Sequence, residues 1–451
     1  MTEEIRPTKG PGKCAYVVSV NMGYGHERAA YGLKELAHGG IITANDYPSI
    51  PKKDRKLWSE SRRGYEAISK LKPIPIIGDL AFAIMDKIQK IPSFYPRRDL
   101  SAINIQVKET YYMIEHLDLC RHLIDQLAKK PLPLICTFFI PAFAAETFDY
   151  PGDIYLVICD ADISRAWVAR DPKKSRIKYF APNGRVVERL KLYGVPEENI
   201  YLTGFPLPKE AIGDLAGNIT RQDLMARICN LDPNGIFLKK YTRVIESELG
   251  SNTCIIKKNH PLSVMFTVGG AGAQKQLGVD ILTSLKRVLV RDGLQLRLVA
   301  GTKKEIAENF YTAIKKLHIS SLLGKKVFID YHHDRPTYFR EFTKSLRKTD
   351  ILWTKPSEMS FYCGMGLPIL MAPTIGSQED FNRTWLMYIG AGIDQGDPQS
   401  TNEWLFDWIN SGGIARAAWN GYMEAPQHGA YRIEGIITGT RMGVETLPMI
   451  V

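Results

Sequence analysis

The 451-residue chain predicts an α/β fold built from parallel sheets in two doubly wound domains. Three observations carry this expectation. Short apolar runs alternate with helical stretches from end to end, as strand–crossover–strand units do. Two of those runs open directly into a glycine-rich turn followed by a helix, VNMGYGH at 20–26 and VGGAGAQ at 268–274, so each marks the start of its own unit. The length suits two or three domains of roughly 100–200 residues each.

The first series begins with CAYVVSV (14–20) and continues through ITAND, PLICTFF, DIYLVIC, RIKYFAP and NIYLTG to about residue 204. The second begins at VMFTVGG (264–270) and continues through LQLRLVAG, KKVFID, DILWTK and LPILMAP. The boundaries expected are an N-terminal domain over 1–214, a linker with inserted helices over 215–262, and a second domain over 263–400. Helices and a tail over 401–451 are expected to pack back across both domains.

Composition narrows the function classes. No apolar run reaches the ~18 residues that span a bilayer, and the start, MTEEIRPTKGPGK, lacks a signal-peptide core. Seven scattered cysteines, an odd number without paired spacing, fit a reducing compartment and offer no zinc site, so a cytoplasmic protein is expected. A formal charge of +11 invites a polyanionic partner: a nucleic acid, an anionic membrane surface or a phosphorylated substrate. Residues 65–100 mix apolar and aromatic residues with Lys and Arg, broken by prolines at 73, 75, 92 and 96. They read either as an irregular cap over the N-terminal sheet or as a basic segment lying on an anionic membrane surface. In the second case Lys70, Lys72, Arg97 and Arg98 supply charge, and Phe94 and Tyr95 the apolar insertion.

The chemistry concentrates where strands end. Residues 355–386, KPSEMSFYCGMGLPILMAPTIGSQEDFNRTWL, place two polar clusters at the same end of one strand unit, where open α/β sheets bind ligands. The hydroxyls and amides of Ser357 and Ser360 at a helix start suit a phosphate. Gln378, Glu379 and Asn382 suit sugar hydroxyls. Phosphate beside sugar means a nucleotide sugar; ordinary helix capping is the alternative. Gly269, Gly270 and Gly272 let a diphosphate approach the backbone, and VFIDYHHDRP (327–336), with Tyr331, ends a strand suited to a nucleotide base. His332 and His333 lack a carboxylate or cysteine at ligand spacing, so no metal is expected there.

In the first domain, Gly23 and Gly25 permit left-handed backbone and close approach of a substrate, and His26 follows at a helix N-terminus. A cation is disfavoured there, which keeps the imidazole able to accept a proton from a hydroxyl nucleophile; a capping histidine is the alternative. CDADISRAW (159–167) leaves another strand on the same side. If the two strands are neighbours, Asp160 faces His26 and either orients it or accepts from the acceptor hydroxyl; otherwise Asp160 and Asp162 cap a turn.

Taken in order, the Gly-loop-His, the Asp-turn-Trp, the exit GFPLP (204–208), the second Gly loop and the Gly-Leu-Pro then Gln-Glu-x-x-Asn block resemble GT-B glycosyltransferases. The group most similar holds the monogalactosyldiacylglycerol synthases and the lipid-intermediate N-acetylglucosaminyltransferase of peptidoglycan synthesis, in a family-28-like pattern. The resemblance runs from about Cys14 to Ile393, broken at 65–100 and 215–262. It implies two Rossmann-like domains facing across a cleft and inverting transfer from a UDP-sugar, with His26 as base and Asp160 assisting, and without a cofactor. The donor would meet Gln378, Glu379, Asn382 and Glu358, the last nearer the loop than the family's ribose-binding glutamate. The acceptor, a lipid or a glycan, would meet Gly23, Gly25, Asp162, Arg165 and Trp167; Arg165 stands where the family usually carries histidine. Partners expected are therefore the nucleotide sugar, the acceptor and an anionic membrane surface, with no nucleic acid. The rival readings are a sugar-nucleotide 2-epimerase of the same fold and a non-enzymatic binding protein on a disabled scaffold.

Overall fold

The structure, a computed structural model, describes residues 14–60, 91–250, 260–268, 274–291, 293–374 and 376–440. Gly269, Gly270 and Gly272, together with Lys70 and Lys72, lie outside the described residues. The chain forms two compact units, one running to Pro206 and taken up again from His428, the other spanning Leu207–Gln427.

Unit one is a six-stranded parallel sheet. Its strands are β1 (Ala15–Ser19), β2 (Ala37–Thr43), β3 (Leu134–Cys136), β4 (Ile154–Val157), β5 (Lys178–Ala181) and β6 (Ile200–Leu202), in the spatial order β2-β1-β3-β4-β5-β6. All five residues of β1 and all four of β4 are buried, as expected of strands covered on both faces. Val18, Cys136, Leu156 and Tyr179 share a core with Val107 and Ile114 of the helix Ile105–Leu117, Leu123 and Leu127 of Arg121–Ala128, and Phe143 of Phe139–Thr147. From β1 the chain goes first to β2 on one side and then to β3 on the other. The strand order therefore reverses between β1 and β3, which is the switch point at which such sheets take ligands.

Unit two repeats the plan with β7 (Ser263–Thr267), β8 (Gln295–Gly301), β9 (Val327–Tyr331), β10 (Ile351–Thr354), β11 (Ile369–Met371) and β12 (Gly392–Asp394), ordered β12-β11-β10-β7-β8-β9. Here the reversal lies between β7 and β10, which pair in register with Phe266 beside Trp353. Trp353, fully buried, and Phe266 meet edge to face at 6.2 Å in the core, with Leu282, Leu285 and Phe310 from the covering helices. The expected α/β class with two parallel sheets is what the chain adopts.

The stretch 215–262, expected as a linker with inserted helices, carries two described helices that pack into the core of unit two. Leu224, Ile228 and Leu231 of the helix Asn218–Leu231 are buried at helical spacing, as are Phe237 and Ile245 of Ile236–Leu249. Arg227, buried, donates to the carbonyls of Thr349 (2.8 Å), Leu346 (3.1 Å) and Met365, so this helix closes the loops around β10. Its polar composition reflects such internal contacts rather than an exposed tether. The last helices divide: Thr401–Asn410 and Gly413–Glu424 belong to unit two, and Gly429–Thr438 to unit one. There Arg432 Nη1 donates to the Thr203 carbonyl at 2.8 Å. A Cβ on Gly429 would stand 2.2 Å from the Phe205 carbonyl oxygen, so only glycine lets the helix approach the GFPLP exit.

Of the basic segment, residues 91–100 are described. Phe94 is 3% exposed, and the Arg185 guanidinium lies 3.8 Å over its ring, so it is core and not available for insertion into a bilayer. Tyr95 is exposed, Arg97 pairs with Glu188 at 3.2 Å, and Arg98 donates to the Pro96 carbonyl at 3.0 Å. No described helix is long and apolar enough to cross a membrane.

Candidate functional sites at the two switch points

In unit one, β1 exits into Asn21-Met22-Gly23, and the first helix spans Tyr24–Tyr31. Gly23, at φ +120°, makes the turn; Gly25 lies inside the helix with ordinary backbone. His26 therefore stands in the first helical turn, at the end the sequence indicated. Asn45, beyond β2, holds the turn by a double contact: its Oδ1 accepts from the Asn21 N–H at 2.7 Å and its Nδ2 donates to the Asn21 carbonyl at 3.2 Å. The imidazole packs edge-on against Phe138 at 4.8 Å and tilted against Trp167 at 5.8 Å. Phe139 lies 5.5 Å from Trp167, and Trp58 lies 6.4 Å from Phe138. An aromatic wall thus surrounds the histidine at the β1/β3 switch point.

Three residues expected beside His26 stand differently. Because β3 lies between β1 and β4, the strands carrying His26 and Asp160 are not neighbours, and the segment after β4 reaches the imidazole through Trp167. Asp160 sits half-buried on the bend that follows β4. Asp162, 1% exposed, accepts from Arg189 Nε and Nη2 (2.8 and 2.9 Å), from Arg185 Nε (3.0 Å) and from the Ile163 N–H (2.9 Å). Arg165 is 4% exposed and donates to the carbonyls of Ser101 (2.9 Å), Val168 (2.6 Å) and Ala169 (3.0 Å). Both side chains are spent on holding the loop that presents Trp167, which removes them from the acceptor-facing set. Asn45, Trp58, Phe138 and Phe139 carry no motif in the sequence; Phe138 and Phe139 end the apolar run PLICTFF, but the strand itself stops at Cys136.

In unit two, three loop exits are tied together at the switch point. Thr267 Oγ1, ending β7, donates to Thr354 Oγ1, ending β10, at 2.8 Å. Gln274, returning from the glycine loop, donates from Nε2 to the Pro373 carbonyl beyond β11 at 3.2 Å. Lys355, one residue past β10, forms an ion pair with Glu379 in the first turn of the helix Ser377–Tyr388. Gln378 and Glu379 are half-buried in that turn, and the Glu379 carboxylate reaches the β10 exit through its pair with Lys355. Ser357 caps the next element, with its hydroxyl 3.4 Å from the Lys355 carbonyl.

That element, Glu358–Met365, is a 3-10 helix in which every residue is buried. Ser360 is fully enclosed, so its hydroxyl does not meet a phosphate arriving from solvent, contrary to the expectation from sequence. Glu358 and Asn382 are likewise buried. Tyr331 ends the edge strand β9, separated from β7 by β8, and its hydroxyl lies 3.3 Å from His333 Nδ1. Beside it, burial holds the Asp330 carboxyl above its ordinary range, opposed by the Arg297 guanidinium at 2.6 Å. Among the described residues no cluster of His, Cys, Asp and Glu could hold a metal ion.

Residues 243–405 match the family described as a domain of unknown function, DUF6938. No curated protein matches the sequence. Among solved structures, the chain is similar to a UDP-GlcNAc 2-epimerase from Neisseria meningitidis bound to UDP-GlcNAc. The identity is 12% and the TM-score 0.46, over 94% of this chain and 99% of that one. It is also similar to MurG from Acinetobacter baumannii (12%, TM-score 0.44, covering 95% and 100%). A glycosyltransferase from Rickettsia africae gives 11% and 0.42, covering 95% and 100%.

Proposed function

We propose that the chain is an inverting glycosyltransferase of GT-B type, which moves a sugar from a nucleotide sugar, a UDP-sugar foremost, to a hydroxyl of a lipid or glycan. The observation that carries this reading is the pairing of chemistries at the two switch points. Unit one presents a histidine at a helix start behind a clamped glycine turn, and unit two presents the Lys355–Glu379 pair at the strand exits, with Gln378 next to Glu379 in the same helical turn. The motif order that resembles the glycosyltransferases supports the same roles. His26 takes the proton of the acceptor hydroxyl, and the oxygen attacks the anomeric carbon. The bond from that carbon to the diphosphate oxygen breaks, and the nucleoside diphosphate leaves with the electron pair. Its charge falls to helix N-termini at the edge of the sheet. The Gln378 amide donates to and accepts from the sugar hydroxyls and the Glu379 carboxylate accepts from them, fixing the donor.

A thermal-shift series with UDP and UDP-sugars tests the donor site. A ligand at a hundred times its Kd stabilises the folded form by about 2.7 kcal/mol, so the melting temperature should rise clearly, and Gln378→Ala should weaken the rise. No shift with any nucleotide or nucleotide sugar at millimolar concentration would contradict the reading.

The clamp on the glycine turn gives a second expectation. Asn45→Ala removes two hydrogen bonds to Asn21, worth about 0.5–1.5 kcal/mol each at most, so denaturant midpoints should move modestly. Turnover should fall by a larger factor than stability implies, because His26 is displaced with the turn. Equal, small effects on both would make the clamp purely structural.

A further inference from the structure

We infer that Lys355 is the cation that receives the diphosphate of the donor, and that Glu379 holds it in place until the donor arrives. This inference rests on the donor-site reading above. Lys355 leaves β10 at the point where the strand order of unit two reverses, one residue beyond the Thr267–Thr354 contact that joins the exits of β7 and β10. Gln274, which opens the helix following the neighbouring β7, is anchored to the β11 exit through the Pro373 carbonyl. A nucleotide lying at this crevice brings its phosphates beside Lys355. The ion pair is partly enclosed, with the lysine side chain 20% and the glutamate side chain 14% exposed, so water screens it incompletely. Two neighbouring charges are engaged elsewhere: Asp380 accepts from Thr374 Oγ1, and Arg383 Nε donates to Asp394 at 2.7 Å.

The pair gives the site a preference by charge. A bare nucleoside diphosphate that draws Lys355 to its phosphates leaves the Glu379 carboxylate near a like charge, which disfavours it. A nucleotide sugar draws the same lysine, and a sugar hydroxyl donates to the released carboxylate. Exchange of partners therefore selects the intact donor over the product diphosphate, and it favours product release once the sugar has gone.

Calorimetric titration of UDP and of a panel of UDP-sugars into the full chain and its variants tests this. The wild type should bind its best UDP-sugar more tightly than UDP. Lys355→Met should weaken both by about ten- to a hundred-fold, and the salt dependence of UDP binding should flatten. Glu379→Gln should act in opposite directions, tightening UDP by about ten-fold while weakening the UDP-sugar by a similar factor. A gain in UDP affinity cannot come from misfolding, so the second variant decides the case even if the first is unstable. Wild-type binding with unchanged affinities in both variants would overturn the inference alone. Absence of wild-type binding to every nucleotide would overturn the donor-site reading, and this inference with it.

Discussion

His26→Ala is expected to lower sugar transfer by about 10²–10⁴, the usual contribution of a positioned general base, while leaving donor affinity nearly unchanged. The two effects separate because the proposed base stands on unit one and the proposed donor groups on unit two. The imidazole is fixed by the first helical turn and by contacts to Phe138 and Trp167, so its position does not depend on substrate. Removing it leaves the acceptor hydroxyl to lose its proton to water. The acidic limb of the pH–rate profile, set by protonation of the base, should disappear in the variant. Steady-state rates across pH, with UDP-sugar affinity measured in parallel, check both points. Near-wild-type turnover would assign His26 to helix capping and shift attention to Asp160.

Asp162→Ala is expected to destabilise unit one by about 3–5 kcal/mol, as breaking a buried ion pair from one side does. Its carboxylate balances Arg189, which is fully buried, and Arg185, which is mostly buried. Both guanidiniums stack over Phe94. Truncation leaves Arg189 charged and enclosed without its partner, and the Ile163 N–H without its acceptor. Asp162→Asn should cost less, since the amide oxygen still accepts from one donor. Urea unfolding of the two variants against wild type gives the values. A loss below 1 kcal/mol for Asp162→Ala would place the pair among exposed salt bridges and contradict the burial argument.

The fold was legible because its signals are local. Continuous apolar strands such as AYVVS and IYLV, and two glycine turns after strands, report parallel sheets without any knowledge of what packs on them. The order of strands is not local. Nothing in the sequence around Asp160 says that β3 lies between its strand and that of His26. Nor does it say that Asp162 meets an arginine 27 residues away. Lys355 was passed over for a related reason: it ends an apolar run and looks like a strand terminus until Glu379 is brought across from the next loop. Helices over 215–262 are legible because Leu224, Ile228 and Leu231 recur at helical spacing; that they pack into the core of unit two is not, because their partners lie far along the chain. Ser360 was chosen by residue type, and only packing reveals that its 3-10 helix is enclosed.

Proton NMR of a UDP-sugar incubated with the protein and a mixed extract of lipids and glycans tests the central claim most directly. A glycosyltransferase of inverting type releases free UDP and replaces the α-anomeric proton signal of the donor with that of a β-linked sugar on a new carrier, and His26→Ala should suppress both changes. Conversion of the donor to an epimeric sugar nucleotide, with the sugar still attached to UDP, would contradict the account and establish the epimerase reading.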